Sequence, residues 1–198
     1  MRAFLPGFVV IVCAALTASA AVDLTPHILT TYTDGIPIRR PYFADGNKKY
    51  ALALDNETTL TAANGGAHFE FNKFMYAVMD LRPSALSPEL AFDAASLPRY
   101  REAALQMLPQ GNDKVKVEKE EANVMPINGW SSYRFTFSYG FFGQRFCESV
   151  TFLNLDAKQQ IVMQVSAKEA DYQVISSRAW DIIRAWHEVT RDAEKPSN

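Results

Sequence analysis

Between residues 133 and 139 the chain alternates strictly, Tyr133, Phe135, Phe137 and Tyr139 set against Arg134, Thr136 and Ser138. A period of two places the aromatics on one side of a pleated strand and the polar residues on the other, so this segment is a half-buried β-strand. Gly140 and Gly143 bracket a turn, which predicts that Gln144–Leu153 returns antiparallel to it. The aromatic row belongs to a core, and the rest of the chain has to supply the other side of that core.

The same period returns elsewhere. Tyr50, Leu52 and Leu54 alternate with small or polar neighbours, and further strand-like runs cover about 57–62, 67–72 and 74–81, with Asn64-Gly65-Gly66 as a turn. Val115 and Val117 alternate with Lys114, Lys116 and Glu118, which predicts one buried face on a charged, exposed strand. Asn128-Gly129 is a tight-turn signal, and Ile161, Met163 and Val165 mark the last strand. Two helical segments interrupt the strands. Ser87-Pro88-Glu89 and Ser96-Leu97-Pro98 are helix starts, the second leading into Arg99–Leu108 before Pro109 and Gly111 end it. Near the C-terminus, Ile175, Ala179, Ile182, Ile183, Trp186 and Val189 recur at helical spacing, predicting an amphipathic helix over about 171–189. Residues 21–46, broken by Pro26, Gly35, Pro37, Pro41 and Gly46, read as an irregular N-terminal arm, 47–190 as a single domain, and 191–198 as a polar tail.

Strands, a helical middle, a four-strand meander and a closing helix define an α+β domain, an antiparallel sheet flanked by helices. This order of elements resembles the Mog1/PsbP-like α/β/α sandwich: early strands, a helical segment near Tyr100–Leu108, the turn at Ile127-Asn128-Gly129, a meander, and a closing helix carrying Ile182, Ile183 and Trp186. The resemblance covers about residues 47–190. It implies a binding or accessory role rather than catalysis and supplies no site residues.

The N-terminus predicts export. Arg2 precedes an apolar run from Phe4 to Leu16, and Ala18-Ser19-Ala20 follows, the three parts of a cleavable secretory leader over 1–20 with the cut after Ala20. The run is short of the roughly 20 residues that span a bilayer, and nothing after it is apolar for long enough. Cys13 lies within the run rather than at the cut, against lipidation. The mature protein is then secreted or periplasmic, with a short Ala-rich leader of bacterial type. The net charge of the 198-residue chain is −2, which argues against nucleic acid as a partner, because phosphate binding requires a basic face. Of two cysteines only Cys147 survives maturation, so no internal disulfide braces the fold.

No catalytic constellation is visible. His27, His68 and His187 are far apart and lack the close pair that zinc sites carry, so no metal ligand is assigned. There is no G-x-S-x-G elbow and no glycine-rich phosphate loop, and hence no cofactor is expected. Cys147, mid-strand between Phe146 and Glu148, reads as a small buried hydrophobe. Glu148 shares strand parity with Phe146, Val150 and Phe152. Buried, it needs a partner such as Arg134 or Arg145, or it holds its proton; the preferred reading is that the apolar row ends there at solvent.

The residues singled out for contact are Phe141 and Phe142, two aromatics at a hairpin tip where small polar residues are usual, together with Trp130 if that end of the sheet curls round; the preferred reading of the pair is that one ring folds back over the sheet edge. The function expected is an exported, non-catalytic binding or accessory protein of the bacterial envelope, whose partner is a protein or a small hydrophobic ligand. Two alternatives remain. An enzyme, a hydrolase, would bring His68, Cys147 and Glu148 within hydrogen-bond reach in a cleft; a hydrophobic-ligand carrier, suggested by 13 Phe and 8 Tyr, would show an apolar cavity.

Overall fold

The structure, a computed structural model, describes residues 22–86, 91–124, 129–156 and 159–189. The leader with its cut, the helix start at Ser87, Ile127-Asn128 and the polar tail lie outside these residues.

The strands form two antiparallel sheets. The larger has seven, in the order β4-β5-β6-β10-β9-β8-β7: β4 (Thr58–Ala63), β5 (Gly66–Phe71), β6 (Val78–Pro83), β10 (Gln160–Lys168), β9 (Gln144–Asn154), β8 (Ser131–Phe141) and β7 (Asp113–Ala122). It consists of two meanders, β4 to β6 and β7 to β10, zipped together where β10 pairs with β6. The expected strand from 74 begins only at Val78; residues 72–77 form a compact loop closed by amide-to-carbonyl bonds from Phe74 to Phe71 and from Ala77 to Phe74.

A helix covers each face of this sheet. Helix α1 (Leu97–Gln106) starts after Ser96 with proline in its first turn. It buries Tyr100 and Ala104 against Tyr133, Phe135, Phe137, Val150, Phe152 and Val162. Leu105, expected on the buried face, points outward. Helix α2 (Tyr172–Arg184) buries Ile175, Ala179, Trp180, Ile182 and Ile183 against Ile161, Met163, Val165, Phe69, Phe71, Met79 and Leu81. Neighbouring residues of β10, such as Ile161 and Val162, thus enter different cores, as the period of a strand requires. The architecture is α+β and dominated by antiparallel sheet.

Three expectations are corrected. First, of the arm expected over 21–46, the described residues 22–46 are not irregular. β1 (Asp23–Thr33) and β2 (Ile36–Asp45) form a hairpin, extended by β3 (Lys48–Ala51) and β11 (His187–Glu188) into a four-stranded sheet. Its prolines sit where the ladder tolerates them. Pro26 lies in the register shift between Asp23 and His27, and Pro37 and Pro41 lie outside the stretch of β2 that pairs with β3. Leu24 and Phe43 of this hairpin are part of the α2-side core. Second, the closing helix ends at Arg184, and His187-Glu188 pairs instead with Ala51 and Tyr50. Trp186 keeps its expected burial, among Phe43, Tyr50 and Trp130. Third, Val115 and Val117 are both exposed. β7 is an edge strand whose pairing to β8 is twice shifted in register, and its alternating charge protects that edge from pairing with other chains.

Candidate functional site

Phe141 closes β8 opposite Gln144 of β9, and the two central residues of the turn, Phe142 and Gly143, have φ of 46° and 75°. A two-residue loop with both φ positive is the type I′ hairpin, which favours Asn-Gly and Asp-Gly because few other side chains tolerate the left-handed region. The chain itself supplies the comparison. Among the described residues, two other hairpins of this kind use Asp34-Gly35, at 51° and 78°, and Asn64-Gly65, at 51° and 74°. Only here does a phenylalanine occupy the strained position, and it is 89% exposed.

A second exposed aromatic stands beside it in the same conformation. Tyr76, φ 67°, is 58% exposed at the end of the loop before β6. Its ring centroid lies 6.1 Å from that of Phe146. Phe142 lies 4.4 Å from Phe141, itself 6.2 Å from Phe146. These rings, with Tyr139, Ser166, Gln144 and Pro109, enclose a groove of about 370 Å³ at the open end of β8 and β9, beyond the reach of α1.

Beneath the groove runs a buried polar chain. Glu148 is 1% exposed. The Tyr139 hydroxyl donates to its Oε2 at 2.8 Å, and Gln164 Nε2 donates to its Oε1 at 2.6 Å and to the Met107 carbonyl at 3.0 Å. Arg82 donates to the Gln164 side-chain oxygen. Burial pushes the Glu148 carboxyl up to about 7, against the lowering effect of these hydrogen bonds. Burial, then the carboxylate beside it, also raises the Tyr139 phenol. The reading of Glu148 as a row ending at solvent is therefore corrected. Nor are Arg134 and Arg145 its partners. Arg134 bonds Glu121, and Arg145 bonds Ser138, whose hydroxyl donates to Glu118. Both lie on alternate positions that project to the other face.

Of the three contact residues expected, Phe141 and Phe142 stand together on the groove. Trp130 does not join them. It precedes the first residue of β8, roughly 35 Å away at the rise of an antiparallel strand, where it packs edge-on against Trp186 at 5.4 Å. That sheet end does not curl round, because Trp130 is drawn into the α2-side core. The residues of the hydrolase alternative are also apart. Glu148 and Cys147 are neighbours in β9 and point to opposite faces. His68 in β5 lies three strand spacings from β9, roughly 14 Å, with its Nδ1 2.7 Å from Asp80. Cys147 is half-buried, and burial, then Glu169 and Glu118, push its thiol up, away from the reactive thiolate. Among the described residues, no group of three His, Cys, Asp or Glu could hold a metal ion, and no helix is long and apolar enough to cross a membrane.

No protein-family model matches the chain, and no curated protein matches it. Among solved structures, it is similar to LpqN of Mycobacterium tuberculosis, a protein involved in cell envelope biogenesis, at 15% identity over 82% of this chain and 92% of that one, with a TM-score of 0.47. It is also similar to cyanobacterial PsbP of Synechocystis sp. PCC 6803, at 14% identity over 71% and 86%, with a TM-score of 0.46. A third, a Pseudomonas aeruginosa protein of unknown function, is 11% identical over 86% and 99%, with a TM-score of 0.37.

Proposed function

We propose that the chain is an exported, non-catalytic binding protein of the bacterial envelope with a Mog1/PsbP-like sandwich, and that it takes a small hydrophobic ligand in the groove between Tyr76 and Phe142. One observation carries this reading: two bulky aromatics are held at positive φ on the rim of the same groove. Left-handed backbone costs a non-glycine residue on the order of 1 kcal/mol, and strain of this kind collects at functional sites. A core needs neither ring there, since both lie largely in solvent. The groove's volume is in the range of small-molecule sites, and its lining, aromatic with two hydroxyls at the base, has their chemistry. The leader read in residues 1–20 gives the export, with cleavage after Ala20.

The test is Phe142→Asn. Asparagine suits the first position of the type I′ turn, so the thermal midpoint should hold or rise, by the equivalent of up to about 1 kcal/mol. Binding of the neutral fluorescent probe Nile red should fall several-fold. A lower midpoint would show that Phe142 serves the fold. Unchanged Nile red binding would show that the groove is not the site.

A further inference from the structure

The groove has a cation on its rim and a proton store under its floor. Lys168 faces the same side of β10 as Ser166 and pairs in the ladder with Phe146, which in turn pairs with Tyr139. Its ammonium lies 5.4 Å from the centre of the Tyr76 ring. Among the described residues no carboxylate stands within ion-pair distance of it, and the adjacent Glu169 is turned to Arg145 at 3.7 Å. Lys168 and Ser166 are two residues apart on one face, so an anion that accepts from the Ser166 hydroxyl is within reach of the Lys168 ammonium.

The floor can present either of two hydrogen-bonding faces. With Glu148 ionised, the Tyr139 O–H points inward to Oε2, and its buried oxygen is left to accept from the Ser166 hydroxyl 3.4 Å away. Oε1 already accepts from Gln164, while Oε2 faces the Tyr139 oxygen, which can accept once its own O–H turns away. A proton arriving on Glu148 therefore sits on Oε2 and is donated to the Tyr139 oxygen. The phenol O–H then turns to the Ser166 oxygen 3.4 Å away, which frees the Ser166 hydroxyl to donate into the groove. The floor changes from an acceptor backed by charge to a donor backed by none.

We propose that the groove binds a small apolar molecule bearing a carboxylate, and that this anion is bound together with a proton taken up by Glu148; the inference rests on the groove being the binding site. The groups around Glu148 are consistent with such a switch. β8 contributes Tyr139, β10 contributes Gln164 and Ser166 with Lys168 at the rim, and the end of α1 contributes the Met107 carbonyl. β6 contributes Arg82, which favours the carboxylate, and Asp80, which opposes it and is itself paired to His68 of β5. Burial balances the two forms in the neutral range, so an acceptor with negative charge shifts Glu148 towards its protonated form.

The experiment is calorimetric titration of the mature protein with para-butylbenzoate and with neutral para-butylbenzamide between about pH 6 and about pH 8, where the benzoate stays ionised. If only the protonated form receives the anion, apparent affinity follows the protonated fraction and is about tenfold higher at the acid end. Glu148→Gln, which holds Tyr139 O–H towards Ser166, should bind the benzoate at all these pH values as tightly as the wild type does in acid. Lys168→Met should lower the preference for benzoate over benzamide by a factor of about 2–5, the value of a partly exposed ion pair. A flat benzoate profile in the wild-type protein, or an unchanged slope in Glu148→Gln, would overturn the proposal. Failure of both probes would overturn it as well, and Nile red binding would then show whether the groove reading survives.

Discussion

At the scale of single residues, Glu148 is the one charged side chain that is fully buried among the described residues. Its carboxyl titrates near 7 in the fold because burial penalises the charged form, whereas in the unfolded chain it titrates near the ordinary value of 4.5. Between those two values the native state holds a proton that the unfolded chain has lost. Stability contributed by Glu148 is therefore complete below about pH 4.5 and is lost as pH rises to about 7, by up to about 3 kcal/mol. Hydrogen bonds hold the Asp23, Asp55, Asp93 and Glu118 carboxyls low, the opposite direction, so the stability they contribute is lost as pH falls rather than as it rises. Denaturant unfolding across the window should show this decline in the wild-type protein and its absence in Glu148→Gln. A profile for the variant parallel to the wild type would place the titrating group elsewhere.

Among the elements, the closing segment shows how far periodicity could be read. The stripe from Ile175 to Trp186 is apolar at helical spacing and is buried as that spacing requires, yet the helix stops at Arg184, and the chain turns so that His187 and Glu188 become a strand beside β3. Periodicity reports burial; it does not report that a new sheet edge is offered to the chain after the helix. The N-terminal hairpin was missed for a related reason. Its prolines and glycines are strong local breakers, and whether they break a strand depends on which backbone amides the neighbouring strands need. Trp186 joins these two parts, its ring 5.1 Å from Phe43 and 6.0 Å from Tyr50. Trp186→Ala should cost about 3–5 kcal/mol, read as a lowered midpoint in thermal or urea unfolding. An unchanged midpoint would mean that the four-stranded sheet is not held through this ring.

Over the whole molecule, the antiparallel meander, the helix after Ser96 and the Phe142 turn were all legible, because alternation, a proline in the first helical turn and turn glycines are local signals. The groove itself was not. Tyr76 comes to Phe146 only because β6 pairs with β10, a contact between distant segments that no local pattern announces, and the expected strand through residue 76 concealed it. The partner of Glu148 was missed although parity could have found it: Tyr139 shares the aromatic side of β8, while Arg134 belongs to the polar side.

The molecule also has a second cavity, of about 400 Å³, at its other end, lined by Trp130, Trp186, Tyr50 and His187 with more polar neighbours. The decisive question is which end receives a ligand. Mapping of chemical shifts during titration with neutral para-butylbenzamide answers it without reference to charge. The predicted result is perturbation of Tyr76, Phe141, Phe142, Phe146 and Ser166, with the indole signals of Trp130 and Trp186 unmoved. Shifts confined to Trp130, Trp186 and His187, with the Phe142 hairpin silent, would contradict the account.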